Sequence, residues 1–183
     1  MRIISDHMRE VTLSTSYLYR GRIINVRQDR VKVQSGKVAF REVVEHPGAV
    51  AVLAVNESNK VFFVRQHRQP AGEILLEIPA GKLEIGEEPL KCARRELLEE
   101  TGLEAEDWME LIRFYPSPGF CDEMIYLFQA GKLSETANQN TDPEEFITVE
   151  KISLNDAAEM IADGRIRDGK TIIAIQFALL DKL

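Results

Sequence analysis

The stretch that most constrains the fold of this chain runs from Gly81 to Leu103 and reads GKLEIGEEPLKCARRELLEETGL. Its first glycines allow a tight loop, Pro89 suits a first helical turn, and Gly102 is a typical helix C-terminal cap. At about 100° per residue, the apolar positions of the helix share one side. Three carboxylates share the neighbouring flank, at Glu96, Glu99 and Glu100. The sequence therefore predicts a loop and a helix that packs on one side and concentrates negative charge beside it.

The clustered carboxylates indicate a metal site. Like charges three and four positions apart in a helix repel, at a cost of roughly a few tenths of a kcal/mol per pair. Arg94 and Arg95 relieve this repulsion only in part. Hard divalent cations prefer clustered carboxylate oxygens, and a bound cation would turn the repulsion into attraction. The alternative is an acidic helix face that is simply solvated.

The order of residues in this stretch resembles the Nudix box. Its defining positions are filled by Gly81, Glu87, Arg95-Glu96-Leu97, Glu99-Glu100 and Gly102-Leu103. The resemblance implies a site for Mg²⁺, or for Mn²⁺ or another divalent cation in its place. Glu96 and Glu100 would be the main ligands, joined by the backbone carbonyl of Ala80. Glu99 would assist catalysis through a direct or water-mediated contact with the metal, and Arg95 would be a structural clamp.

Length and charge narrow the class of protein. A chain of 183 residues fits one well-buried domain, and a net charge of −7 argues against binding to nucleic acid. No apolar run is long enough to span a bilayer, and the first residues lack the apolar core of a signal peptide. Cys92 and Cys121 are too few for a disulfide framework. We therefore expect a cytoplasmic protein that contacts no membrane.

The remaining sequence is dominated by strand patterns. β-Branched and aromatic residues, broken by turn signals, predict strands at 11–19, 23–33, 38–44, 49–55, 60–68, 110–115, 124–130 and 146–152. Helices are predicted from Ser153 and from about Thr171, and the polar stretch 134–145 is predicted to be a long surface loop. Such a pattern favours a mixed sheet rather than a βαβ series.

The expected fold class is α/β, in the α+β sense. It is a Nudix-type α/β/α sandwich with a mixed β-sheet, preceded by an antiparallel β-strand region at the N-terminus. We place the N-terminal region at residues 1–46 and the Nudix hydrolase domain at residues 47–183. The box helix is expected to lie against the mixed sheet.

Segments outside the box resemble the ADP-ribose pyrophosphatase branch of the Nudix family. They are Gly48-Ala49-Val50-Ala51-Val52, Val64-Arg65-Gln66-His67-Arg68, Glu77-Ile78-Pro79-Ala80-Gly81 and Ser117-Pro118-Gly119-Phe120. Divalent ions at a carboxylate cluster already suit hydrolysis of a phosphoanhydride. The resemblance adds the substrate, ADP-ribose, and the products, AMP and ribose 5-phosphate. One alternative is a different nucleoside diphosphate sugar or derivative, and an alternative of another class is a non-catalytic ligand sensor with this fold.

Matches to this branch also imply the substrate-binding residues. Arg22 and Ile23 match the segment that contacts adenine, and Glu42 and Arg68 match residues that hold the adenosine and diphosphate parts. Pro118 matches the proline that follows the box in this branch. A guanidinium pairs bidentately with phosphate, which gives Arg68 a plain physical role. Otherwise Arg68 would be an exposed arginine at a strand end, and Glu42 an ordinary strand carboxylate.

The general base of this branch lies on the long loop after the box. The run Asp142-Pro143-Glu144-Glu145-Phe146 matches that loop and places the base at Glu145. Pro143 interrupts the usual acidic run, so Glu144 is the alternative.

The N-terminal strands are expected to be covered by a second copy of the chain. Residues 11–33 are apolar in pattern and carry few of the charges that protect an exposed sheet edge. In the ADP-ribose pyrophosphatases this segment crosses to the partner subunit. The resemblance therefore implies a homodimer, swapped through residues 1–46, in which both chains contribute to each small-molecule site.

Overall fold

The computed structural model describes residues 8–136 and 146–181, and these residues form two compact units. The first unit contains the chain up to Pro47 together with Ser117–Glu123. The second contains Gly48–Pro116 and the chain from Met124 onward. The loop predicted to carry Glu144 and Glu145 lies outside the described residues.

The first unit is a three-stranded antiparallel sheet. Its strands are β1 (Val11–Arg20), β2 (Asn25–Lys32) and β3 (Val38–Glu45), in that order across the sheet. Gly36, at φ 80°, occupies the left-handed conformation that the turn between β2 and β3 requires. The segment Ser117–Glu123 is tied to this sheet because the Val44 N–H donates to the Phe120 carbonyl at 2.7 Å. The predicted N-terminal antiparallel region is therefore present.

The second unit contains two sheets. Its strands are β4 (Ala49–Ala54), β5 (Lys60–Arg68), β6 (Glu73–Glu77), β7 (Ala80–Lys82), β8 (Leu103–Phe114), β9 (Ile125–Glu135) and β10 (Thr148–Ser153). One sheet has the order β7-β4-β9-β8, in which β4 and β9 are parallel and the other pairs antiparallel. The other sheet is antiparallel, with the order β10-β5-β6. The predicted mixed sheet is thus confirmed.

Three helices belong to the second unit: α1 (Pro89–Thr101), α2 (Leu154–Ala162) and α3 (Gly169–Asp181). Two of them begin or end at a local signal. Gly102 closes α1 at φ 69° with its N–H bound to the Leu98 carbonyl, and the Ser153 hydroxyl caps α2 by accepting the Asp156 N–H. Among the described residues, no helix is long and apolar enough to cross a membrane.

The side chains of β4 alternate between two apolar cores. Val50 and Val52 pack with Cys92 and Leu97 of α1, whereas the other face of the strand contributes to a core shared with α2 and α3. Because successive strand residues point to opposite faces, one fully apolar strand can line both cores. This arrangement is the predicted α/β/α sandwich, and it places the carboxylate flank of α1 beside β7.

Two strands extend well beyond the sequence prediction. The strand predicted from Glu110 begins at Leu103, and β9 continues to Glu135, inside the stretch predicted to be a loop. Glu104, Glu106 and Asp107 are all exposed, and Asp107 lies on the opposite face of β8 from the other two, so charges on both faces hide the alternation. A register shift between Glu110 and Ile112 breaks the period again. β8 is an edge strand in which five of twelve residues are charged, and β9 extends to Glu135 because that residue pairs with Leu103 at the start of β8.

Candidate active site

Glu96 lies directly against the backbone of Gly81. Gly81 is in β7, and a Cβ added to it would lie 1.9 Å from the Cδ and Oε1 atoms of Glu96. No heavy atoms pack that closely, so only glycine fits while Glu96 keeps this position. The Glu96 side chain is 13% exposed. The first glycine of the box is therefore explained by the space that the carboxylate needs.

Glu100 is fixed by the same short strand. The residue is only 5% exposed, and its Oε2 atom accepts the Ala80 N–H at 3.0 Å. A carboxylate that accepts a backbone N–H is held in one orientation. The structure thus brings Ala80, Glu96 and Glu100 together, with Ala80 contributing its N–H. The carbonyl of Ala80 as a metal ligand remains a prediction.

Arg95 joins the acidic residues of the loop and the helix. Its Nη1 atom donates to Glu96 Oε1 at 2.7 Å and to Glu99 Oε2 at 3.0 Å, while Nε and Nη2 each contact the Glu87 carboxylate at 3.1 Å. Hydrogen bonds from Arg95 lower the pKa of Glu87 to about 2, and its bonds to Glu87 raise the pKa of Arg95 itself. One guanidinium therefore offsets the repulsion that the sequence pattern creates.

The oxygen-rich flank fits a hard divalent cation. Within residues 8–136 and 146–181, no three Asp, Glu, His or Cys side chains form a ready-made metal cage. Mg²⁺ normally binds proteins through one or two carboxylates and takes its other ligands from water and substrate phosphates. Glu96 and Glu100, held beside Ala80 and Gly81, match that requirement, and Glu99 is 40% exposed at the rim.

Arg68 and Glu77, the last residues of β5 and β6, form a bidentate pair. Arg68 Nε donates to Glu77 Oε1 at 2.7 Å and Arg68 Nη2 to Glu77 Oε2 at 2.8 Å. These bonds raise the pKa of Arg68, and the charge of Glu100 adds to the effect. The contact of Arg68 with phosphate remains a prediction.

Comparison with known proteins identifies the family to which this carboxylate site belongs. The model of the NUDIX domain matches residues 45–174, and the model of the nucleoside diphosphate sugar hydrolase N-terminal domain matches residues 10–44. The chain belongs to the Nudix family. Gly81, Glu96 and Glu100 are thus residues of a Nudix box, and α1 is the Nudix helix.

Curated relatives extend the similarity over almost the whole chain. A methanol dehydrogenase activator from Bacillus methanolicus is 44% identical over 174 residues, which are 94% of this chain and 94% of the relative. An ADP-ribose pyrophosphatase from Bacillus subtilis (strain 168) is 41% identical, with the same coverage of both chains. The crystal structure of an ADP compounds hydrolase has a TM-score of 0.81 and 18% identity, and the match covers 93% of this chain and 92% of that one. At that identity the structure supports the Nudix fold alone.

The other predicted substrate residues belong to the first unit. Arg22 and Ile23 are exposed in the turn between β1 and β2, Glu42 is exposed on β3 opposite Gln28, and Pro118 is exposed in the turn after Ser117. Their surface positions leave them accessible to a ligand. Their roles in the Nudix reaction remain predictions.

Trp108 packs on the Nudix domain rather than offering a free ring. Its Nε1 donates to the Ala105 carbonyl at 3.0 Å, and its ring meets Phe128 edge-on, with the two centroids 6.5 Å apart. Both residues line a shallow groove of about 500 Å³ beside Pro89 and Arg113. None of the residues predicted to bind metal or substrate lines this groove.

The sequence analysis did not predict the ion pair between Arg68 and Glu77, or the second ion pair between Glu77 and Lys170. Glu77 is 1% exposed and also accepts a hydrogen bond from Lys170, which begins α3. The available signal was Glu77 itself, a lone charge between Leu76 and Ile78 in an apolar strand, because a buried carboxylate requires a partner. The identity of that partner was not visible in the local sequence.

Proposed function

We propose that this chain hydrolyses the diphosphate of ADP-ribose to AMP and ribose 5-phosphate with Mg²⁺. The proposal rests on one observation above all. Glu96 and Glu100 converge on Ala80 and Gly81 in a Nudix chain that is 41% identical to an ADP-ribose pyrophosphatase over 94% of its length. Mn²⁺ or another divalent ion could serve in place of Mg²⁺, since the site offers only carboxylate and backbone oxygens.

The reaction requires charge neutralisation and a base. A divalent cation held by Glu96, Glu100 and the Ala80 carbonyl would neutralise charge on the phosphate oxygens. Glu99 would assist at the rim of this cluster. We assign the general base to Glu145, with Glu144 as the alternative, since the run from Asp142 to Phe146 resembles the segment that carries the base in the ADP-ribose pyrophosphatase branch.

We propose that Arg68 contacts the diphosphate. Two of its nitrogens are used by Glu77, but a guanidinium has five N–H donors, so donors remain for a phosphate oxygen. Its side chain is 38% exposed, which leaves room for such a contact. Arg22 and Ile23 would contact adenine, Glu42 would share with Arg68 in holding the adenosine and diphosphate parts, and Pro118 would also contact the substrate.

We further propose a homodimer formed through residues 1–46. All ten residues of β1 are exposed, including Val11, Leu18 and Tyr19, and β1 is the edge strand of its sheet. Phe40 on β3 is also exposed. An exposed apolar edge strand readily pairs with another chain, and a second copy is the partner that the family resemblance implies.

Charging the edge strand tests the dimer. Leu18 is 61% exposed, and Leu18→Lys should convert the dimer to a monomer in light scattering and weaken substrate binding if both chains build each site. Leu180→Lys is the matched control, because Leu180 is 81% exposed on α3 and lies outside that region. A fully active monomer of the unsubstituted protein would exclude the composite site.

The substrate is tested by product analysis. The purified protein should convert ADP-ribose to AMP and ribose 5-phosphate with Mg²⁺ and stop when EDTA is added. Parallel assays with ADP-glucose and GDP-mannose test the alternative that the substrate is another nucleoside diphosphate sugar. The match of residues 10–44 to the nucleoside diphosphate sugar hydrolase N-terminal domain favours that alternative. Faster turnover of either one would move the assignment to that sugar. Binding of all three without turnover would favour the ligand sensor, which the retained carboxylates of α1 oppose.

A second candidate function is activation of an alcohol dehydrogenase. It is favoured by the 44% identity to a methanol dehydrogenase activator over 94% of both chains. Adding the protein to the methanol dehydrogenase of Bacillus methanolicus should then raise the rate of methanol oxidation. Glu96→Gln in the same assay shows whether hydrolysis is required, and an unchanged dehydrogenase rate with the unsubstituted protein removes this candidate.

The cytoplasm is the proposed location. Cys92 and Cys121 are both free thiols, which fits a reducing compartment. A cell fractionation that found the protein outside the cytoplasm would contradict this assignment.

A further inference from the structure

A buried network behind Arg68 connects the smaller sheet to the start of α3. Lys170 donates to Glu77 and, at 3.0 Å, to Asp168. The Thr171 N–H donates to Asp168 Oδ2 at 3.0 Å, and the Thr171 hydroxyl donates to the same oxygen at 2.6 Å. That hydroxyl also accepts the Ile78 N–H at 2.8 Å. The network therefore ties Glu77 and Ile78, at the end of β6, to the start of α3.

Glu77 is too buried to be an ordinary ion-pair partner. Burial by itself would raise its pKa, but the hydrogen bonds from Arg68 and the charge of Lys170 outweigh burial and lower it. Lys170 is 12% exposed, so it too has given up most of its water. Removing one member of a buried charge network leaves the others unpaired, which is why such networks hold their geometry tightly.

The network determines how Arg68 presents its guanidinium. Glu77 accepts from Nε and Nη2 on one edge of the guanidinium, and Lys170 donates to Glu77 Oε2, the same oxygen that accepts Arg68 Nη2. The remaining Nη1 group therefore points away from Glu77. A single bidentate partner fixes both the position and the plane of a guanidinium.

We propose that Glu77 and Lys170 are positioning residues that orient Arg68 for the substrate diphosphate. This inference rests on the proposed function, in which Arg68 contacts a phosphate. Neither Glu77 nor Lys170 touches substrate in this account, and both act through Arg68. The network explains why a carboxylate and an ammonium are buried at the edge of a site for an anionic substrate.

Kinetics of a double-mutant cycle test the inference. Lys170→Met keeps the length of the side chain but removes its hydrogen bond to Glu77. We expect KM for ADP-ribose to rise about tenfold and kcat to stay within about twofold, because binding of the ground state and of the transition state weakens equally. In an Arg68→Lys background the same substitution should change KM less than about twofold, because the residue it acts through is gone. Lys170→Arg keeps the charge and should restore KM to within about threefold of the unsubstituted protein.

Arg167→Met is the matched control. Arg167 pairs with Glu73 of β6, much as Lys170 pairs with Glu77 of β6. The side chains of Arg167 and Glu73 are both exposed, whereas those of Lys170 and Glu77 are largely buried. It should leave KM unchanged. Equal effects of Lys170→Met in both backgrounds, or equal effects of Lys170→Met and Arg167→Met, would overturn the positioning role.

A spectroscopic measurement separates this inference from the proposed function. The Arg68 Nε–H signal in ¹⁵N NMR, assigned by its loss in Arg68→Lys, should be slow to exchange with water because Nε is bound to Glu77. It should broaden or shift in Lys170→Met and persist in Arg167→Met. An unchanged signal in Lys170→Met refutes the positioning role whatever the activity. Absence of ADP-ribose hydrolysis by the unsubstituted protein refutes the proposed function alone.

Discussion

Replacing Gly81 with alanine should damage catalysis and spare the fold. The new Cβ would lie 1.9 Å from Glu96 Cδ, and ordinary contact begins near 3.4 Å, so the carboxylate would have to move by about 1.5 Å. A displacement of about 1 Å at a catalytic group can cost about 100-fold. We therefore expect kcat/KM for ADP-ribose to fall about 100-fold, equivalent to about 2.7 kcal/mol of transition-state stabilisation. The atom that must move ends a flexible side chain, so the free energy of unfolding should fall by less than about 1 kcal/mol.

Gly86→Ala provides the opposite control in the same loop. Gly86 has φ 78° and nothing within 4 Å of an added Cβ, so alanine there is strained but clashes with nothing. It should cost about 1–2 kcal/mol of stability and leave kcat within about twofold. Steady-state kinetics and urea unfolding of both variants give the two readouts. A kcat/KM for Gly81→Ala within threefold of the unsubstituted protein would refute the account of this glycine.

Three further predictions follow from the site. Glu87→Gln should lower the free energy of unfolding by about 1–2 kcal/mol at pH 7, after allowance for solvent screening. The pKa of Glu87 is lowered from 4.5 to about 2 in the folded protein. In urea unfolding, the loss of stability in Glu87→Gln relative to the unsubstituted protein should therefore be complete above pH 5 and shrink as the pH falls from 4.5 toward 2. A loss of stability that did not change with pH would contradict this prediction. Cys92 should resist thiol reagents in the folded protein at pH 8, because burial raises its pKa to about 12, and rapid labelling identified by mass spectrometry would show that it is accessible. Glu145→Gln should lower kcat strongly with little change in substrate binding, and the same phenotype in Glu144→Gln instead would move the base by one residue.

Local signals were sufficient to predict the Nudix helix. Pro89 begins α1 and Gly102 ends it in the left-handed conformation, as the sequence predicted. Both residues act through their own backbone, so the surrounding fold is not needed to interpret them. The capping serine of α2 was predictable for the same reason, because Ser153 and Asp156 bond within one helical turn.

The contacts that arrange the site were not predictable in this way. Lys170 and Glu77 are 93 positions apart in sequence, and neither stands out without the other. The box pattern pointed to Gly81 and Glu96, but the reason for the glycine appeared only when β7 and α1 were placed side by side. Arg68 shows the same limit, since its predicted phosphate contact did not reveal that two of its five N–H donors bind Glu77.

The central claim is that Glu96 and Glu100 make hydrolysis of ADP-ribose depend on a divalent cation. The most direct test is to measure AMP release as a function of Mg²⁺ concentration for the unsubstituted protein, Glu96→Gln and Glu100→Gln. Glu88→Gln is the control, because Glu88 is exposed at the start of the same helix. Saturable activation by Mg²⁺ is predicted for the unsubstituted protein and for Glu88→Gln. Glu96→Gln and Glu100→Gln should lose at least about 100-fold in kcat. Near-normal turnover with Mg²⁺ in both variants would contradict the account.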